Sequence, residues 1–213
     1  MSHSLHRRGS CESLKDDFVL LVTPSVGINN KGSADALWKI LDIVQEVGPD
    51  NLGSYETGTI FTGATVEEIR TAMGDTPRVR CCFDSREKMF EVIKRIKELD
   101  AGLSVVISGL NEDVLEMAKD LDLRPHSVNY SLGIHGRTEK LPPEEVLEFI
   151  TMCGHGMISR NLVKENIEAV RAGRKKIHDA AVAIAQPCVC GIFNVDRAEK
   201  LLKKFCPQQN EAD

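Results

Sequence analysis

A chain of 213 residues, 42% of them hydrophobic, holds enough apolar material for one large or two small domains, and general disorder is excluded. Its 27 basic and 32 acidic side chains leave a formal charge of -5, which argues against a broad nucleic-acid surface, and 5% aromatics weakens a base-stacking role. No apolar run approaches the roughly 20 residues of a membrane helix, and residues 1–10 lack the apolar centre of a secretory signal. A cytoplasmic protein is therefore expected, with its seven cysteines reduced; seven is in any case an odd number, so complete internal pairing is impossible.

Residues 1–16 are polar and read as a flexible N-terminal arm. Residues 18–22, Phe-Val-Leu-Leu-Val, form an unbroken apolar run that suits a strand covered on both faces. The loop after it, 23–33, contains Gly27 and Gly32. Ser33 stands as an N-cap for a helix whose stripe is Leu37, Ile40, Leu41, Val44 and Val47, ended by Gly48-Pro49. Thr65 and Glu68 have the spacing of a capping box opening a short helix to residue 73. A strand follows at 79–83, then a helix from Ser85 to residue 99, a strand at 103–107, a helix from Asn111 to residue 121, and a last strand at 127–134. Strands alternating with helices predict an α/β domain over 17–140, with a mostly parallel or mixed sheet of about five strands and flanking helices.

Beyond Gly136 the pattern turns helical, with helices expected at 143–151, 158–171, 176–186 and 195–205 and proline in the first turn of the first of them. Residues 141–213 thus read as a helical C-terminal segment. It carries two glycine-flanked cysteine turns, Met152-Cys153-Gly154-His155-Gly156 and Pro187-Cys188-Val189-Cys190-Gly191. Each turn is expected to lead into a helix N-terminus, where free N–H groups lower a thiol pKa and hold anions.

If the two turns meet, Cys153, His155, Cys188 and Cys190 supply four soft ligands, the set wanted by tetrahedral zinc or an iron–sulfur cluster, in a protein doing redox or ligand-handling work. The spacing is not diagnostic, since both pairs are separated by one residue where structural zinc prefers two. A cofactor-independent enzyme is the alternative, with Cys153 as acid/base or nucleophile, His155 as its helper and a small anionic substrate. The third possibility is a non-catalytic binding or assembly protein in which the thiols only pack, as free cysteines commonly do. A homo-oligomer is compatible with any of these.

Met152-Cys153-Gly154-His155-Gly156, followed by Ile158, resembles the first cysteine motif of the proline racemase family, and Pro187-Cys188 is similar to the start of the Pro-Cys-Gly turn of its second cysteine. The resemblance implies that Cys153 exchanges an α-proton while the amides around it hold the substrate carboxylate. It is confined to these turns: the family's two cysteines lie much farther apart in sequence, and its duplicated fold of strands around a helix differs from the order read here.

Two further groups are candidates for holding a cofactor or anion. Gly27, Gly32 and Ser33 lie in the loop between the first strand and its helix, where a phosphate is often held, although neither common glycine-rich phosphate motif is matched. His135 and Arg137 follow the last expected strand, and strand ends of α/β sheets line ligand clefts. Cys81 and Cys82, adjacent in a strand, are expected to face opposite sides of the sheet.

Overall fold

The computed structural model describes residues 5–73 and 78–207. A short helix α1 (Cys11–Leu14) precedes β1 (Phe18–Thr23), whose residues are buried from Phe18 to Val22. Helix α2 (Ala34–Val47) ends at Gly48, which takes φ +82° and closes the helix through its N–H to the carbonyls of Val44 and Gln45. Two short strands, β2 (Asn51–Ser54) and β3 (Gly58–Thr59), make a hairpin. The capping box at α3 (Val66–Thr71) is present: the Thr65 hydroxyl accepts from the Glu68 N–H, and the Glu68 carboxylate accepts from the Thr65 N–H. Then come β4 (Val79–Phe83), α4 (Arg86–Leu99), β5 (Ser104–Ser108) and α5 (Asn111–Asp120). Four α-helices follow among the described residues: α6 (Glu144–Ile150), α7 (Arg160–Arg171), α8 (Ile177–Ala185) and α9 (Val195–Phe205).

The class is α/β and the sheet has five strands, in the order β3-β2-β4-β1-β5, but every hydrogen-bonded pair is antiparallel. This corrects the expectation of a mostly parallel or mixed sheet. Each strand–helix–strand unit does return its second strand in the direction of the first; β1 and β2 flank β4, and β4 and β5 flank β1. The two units are split and interleaved, so each strand finds a partner from the other unit running the opposite way. A further correction concerns residues 127–134. They form no strand, and residues 124–140 are exposed throughout. The remaining two of the five strands are supplied by the β2–β3 hairpin, whose strands are too short to show an alternation.

The central strands separate two cores. Leu20, Val22, Cys81 and Phe83 face α2 and α4, packing with Leu37, Ile40, Leu41, Val92 and Ile93. Val19 and Cys82 face the other way, into the C-terminal helices, with Phe149, Val163, Ile167, Ile184, Phe193 and Leu201. Cys81 and Cys82 thus lie on opposite faces, both fully buried. The helical segment is the second cover of the sheet, and that arrangement brings its cysteine turns up against β2 and β4.

Residues 5–16, expected as part of a flexible arm, are drawn onto this second layer. Arg7 is paired with Asp17, and its Nη2 donates to the carbonyls of Met152 (3.1 Å) and Ile192. Arg8 donates its backbone N–H to the Thr151 hydroxyl, 3.0 Å away. Arg197 reaches back to Asp17 (2.8 Å) and to the carbonyl of Arg8 (2.6 Å). Asp17, Arg7 and Arg197 are all withdrawn from solvent, a burial that ionic groups tolerate only when paired and hydrogen-bonded.

Candidate functional site

The first cysteine turn follows α6. Thr151 closes that helix, Met152 is buried beneath it, and Cys153 lies six positions before Ser159, the N-cap of α7. The second turn follows α8, and Cys190 stands four positions before Asn194, whose side chain accepts from the Arg197 N–H at 2.7 Å to cap α9. Neither cysteine sits in the first turn of a helix, as the spacing had suggested. Local amides take over that role. The Cys153 sulfur accepts from the backbone N–H groups of His155 and Met157, and the Cys190 sulfur from that of Ile192. Curled successive N–H groups form a concave donor nest that favours an anion.

Gly191 is what lets the second turn approach the sheet. It takes φ +76°, and a Cβ there would stand 2.2 Å from the amide nitrogen of Gly53 in β2. Gly53 is closed in equally, its own imagined Cβ lying 2.8 Å from Thr59 Cγ2 and 3.0 Å from the Gly191 nitrogen. Two backbones in direct contact require glycine on both sides. Asn51 adds a tie, donating its side-chain amide to the Phe193 carbonyl at 2.9 Å.

The two turns meet. Cys188 Sγ is 4.0 Å from Cys190 Sγ, Cys190 Sγ is 3.9 Å from His155 Nδ1, and Cys188 hydrogen-bonds to Cys153. The three thiols are 1–3% exposed, whereas His155 is exposed and lies over them. Its Nε2 is 2.5 Å from the Tyr55 hydroxyl, with Nδ1 farther from that oxygen at 3.4 Å, and the two rings meet edge to face. The Arg80 guanidinium lies over the Tyr55 ring, 4.3 Å from its centroid.

The thiols do not titrate alike. The hydrogen bond from Cys188, against the opposing effect of burial, together with the amides of Met157 and His155, holds Cys153 down to about 5. The same thiol and the Ile192 amide hold Cys190 down to about 6. Cys188, hydrogen-bonded to both, is pushed up and keeps the proton they share. The hydrogen bonding thus favours the thiolate form at Cys153 and Cys190 and holds the proton on Cys188.

Among the described residues, no three His, Cys, Asp or Glu side chains are already drawn within the span of one metal ion. Pairs at ligand spacing are present; the full set is wider, so the exposed His155 or the turns would have to close in on an ion.

The other sequence candidates lie elsewhere. In the loop of Gly27, Gly32 and Ser33, the Gly27 N–H is taken by the Asn30 side chain (2.8 Å) and the Ser25 N–H by that of Asn29 (2.6 Å). Ser33 makes no side-chain cap; its hydroxyl donates to the Asn30 carbonyl. His135 and Arg137 were proposed as residues at a strand end, and the strand does not form. His135 pairs with the Leu132 carbonyl and Arg137 with Glu139, both exposed.

Tyr55, Arg80 and Arg7 were not anticipated. For Arg80 a signal existed: a charge inside the buried strand Val-Arg-Cys-Cys-Phe demands an explanation. Nothing local announces Tyr55 or Arg7, whose contacts with the cysteine turns lie 100 or more residues away.

No protein-family model matches this chain, and no curated protein or solved structure matches it either. The functional reading rests on the site itself.

Proposed function

We propose that Cys153, Cys188, Cys190 and His155 form a thiolate–imidazole metal centre holding one four-coordinate ion, used in redox or ligand-handling work. The observation that carries the reading is the convergence of three thiols and an imidazole from two turns 35 residues apart. At zinc–sulfur and zinc–nitrogen bonds of about 2.3 and 2.0 Å, a tetrahedron has S···S edges of about 3.8 Å and S···N edges of about 3.5 Å. The 4.0 Å between Cys188 and Cys190 and the 3.9 Å between Cys190 and His155 lie close to those values. A multi-iron cluster with each sulfur on its own iron needs wider spacing, so a single ion fits these pairs better: zinc for ligand handling, or one iron for the redox work that zinc cannot do.

Second-sphere groups support the same reading. A ligating histidine commonly uses its other ring nitrogen to bond a neighbour, which fixes its tautomer. Here Tyr55 occupies Nε2, and Nδ1 is turned to Cys190. Without metal, the same geometry suits an Nδ1–H donating to the Cys190 thiolate. The amide donors around Cys153 and Cys190 lower the basicity of thiolates in either state.

The decisive experiment is metal and acid-labile sulfide analysis of anaerobically purified protein, with Cys188→Ser and Cys190→Ser as controls. One equivalent of zinc or iron without sulfide, lost in both controls, is the expected result. Iron with matching sulfide would replace the single ion by a cluster. A protein that stays metal-free after reconstitution would sink the reading.

A second reading is favoured by one observation, the hydrogen bond between Cys153 and Cys188 with backbone amides around Cys153. In this reading the protein is a cofactor-independent thiol enzyme with Cys153 as nucleophile or acid/base. It predicts rapid alkylation of Cys153 in metal-free protein, with the rate flat across neutral pH and falling only as pH drops through about 5. Slow, uniform alkylation of all thiols would speak instead for packing alone.

A further inference from the structure

An arginine is seldom buried without an anionic partner, because a guanidinium removed from water needs a carboxylate or phosphate to offset the lost hydration. Arg7 and Arg197 obey this rule, both pairing with Asp17. Arg80 does not. It is 7% exposed, and among the described residues its side chain lies over the face of Tyr55 and makes no hydrogen bond or ion pair. The nearest anions act on it only through space. Glu56 is taken up by the Ser54 hydroxyl, Cys190 belongs to the thiol cluster, and Arg78 adds a like charge. Its guanidinium lies over the exposed Tyr55, whose hydroxyl in turn bonds the exposed His155.

We propose that Arg80 and Tyr55 form the recognition site for a small carboxylate ligand presented to the Cys153–Cys188–Cys190–His155 centre. The role of that centre rests on the function proposed above. A planar guanidinium matches one carboxylate through two parallel hydrogen bonds, and the Tyr55 ring beneath it holds the fork in place. Geometry selects the class of ligand: one planar fork, its face covered by the Tyr55 ring, pairs fully with the two oxygens of a single carboxylate, whereas phosphate offers more oxygens and more charge than one fork can meet. The Tyr55 hydroxyl, bonded to His155, links the carboxylate site to the imidazole over the thiols.

The test uses sodium acetate and sodium pyruvate as probes, with inorganic phosphate as the dianion control, titrated at constant ionic strength. Wild type, Arg80→Gln and Arg80→Lys are compared, as purified and after chelation, by saturation-transfer NMR. Acetate and pyruvate should bind wild type saturably and more tightly than phosphate; phosphate binding as tightly would overturn the carboxylate assignment. Arg80→Gln should weaken the carboxylates at least about tenfold, the size expected for losing a charge-assisted pair. Arg80→Lys keeps the charge and the aliphatic stem, so it guards against a folding defect, and it should still lose several-fold for want of the fork. The proposal is overturned if wild type shows no saturable carboxylate binding, or if both variants bind as wild type does. Metal content is read on the same samples. Carboxylate binding in a protein that never takes up metal would sink the metal centre and leave the Arg80 site standing.

Discussion

At the scale of single residues, the molecule places ionisable groups where burial and local donors compete. Asp50 is a clear case outside the thiol cluster. Its carboxylate accepts the first N–H groups of α9, from Val195 at 2.6 Å and Asp196 at 3.0 Å, yet burial pushes it up to about 6 from an ordinary 3.8. A carboxyl with a raised folded value keeps a proton that the unfolded chain has already lost. Its stabilising contribution is therefore complete below about pH 4 and disappears as pH rises through about 6. The free energy of urea unfolding should gain from this group as pH falls from 7 to 5, by at most about 3 kcal/mol over its full range at 1.36 kcal/mol per pH unit. Asp50→Asn should flatten that part of the profile; identical pH responses in the two proteins would remove Asp50 as the cause. The thiols show the opposite balance. Cys81, in an apolar setting on the far face of the sheet, is pushed up by burial, whereas Cys153 and Cys190, nearly as buried, are pulled down by the donors around them.

At the scale of elements, the site depends on a turn pressed against a strand. Gly191→Ala would set a methyl group against the backbone of β2 and force a side chain into a left-handed φ of +76°. Both effects are costly, so the unfolding free energy should fall by more than about 2 kcal/mol. The same variant should also release metal more readily, which a chelator competition would measure. Unaltered stability would mean that the contact between turn and β2 can relax. The legibility of these elements follows from their physics. Helices with a full apolar stripe and a cap, such as α2, α4 and α9, can be read from periodicity to within a residue or two at their ends. The cysteine turns stand out in the sequence because glycine and soft ligands coincide there, and the structure brings the two turns together. The β2–β3 hairpin was not, since four residues containing glycine carry no alternation. Residues 127–134 misled for the converse reason: Val128, Tyr130, Leu132 and Ile134 alternate as a half-buried strand would, yet all four are exposed. Strand direction was illegible because it depends on which unit supplies the neighbour, a non-local fact.

At the scale of the whole molecule, one ionic knot joins the N-terminal stretch to both cysteine turns. Arg7 touches the carbonyl before Cys153 and the carbonyl of Ile192, two residues after Cys190, and it is paired with the buried Asp17. Arg7→Met keeps the bulk and removes the charge. Asp17 then retains only Arg197 and Asn194, and stability should drop by about 3 kcal/mol, the usual cost of breaking a buried pair. Metal retention should weaken in parallel, measured as faster loss to a chelator. A variant as stable and as retentive as wild type would show that the carbonyl contacts do not hold the turns together. The same knot sets a timetable for the newborn polypeptide. Arg7 and Ile192 are 185 positions apart, which at about 5–20 residues per second leaves Arg7 waiting roughly ten to forty seconds on the ribosome for its last partner. Cys188 and Cys190 are made some eighty residues after the last strand, Ser104–Ser108, so an ion held by the centre proposed above would reach a chain whose sheet is already synthesised.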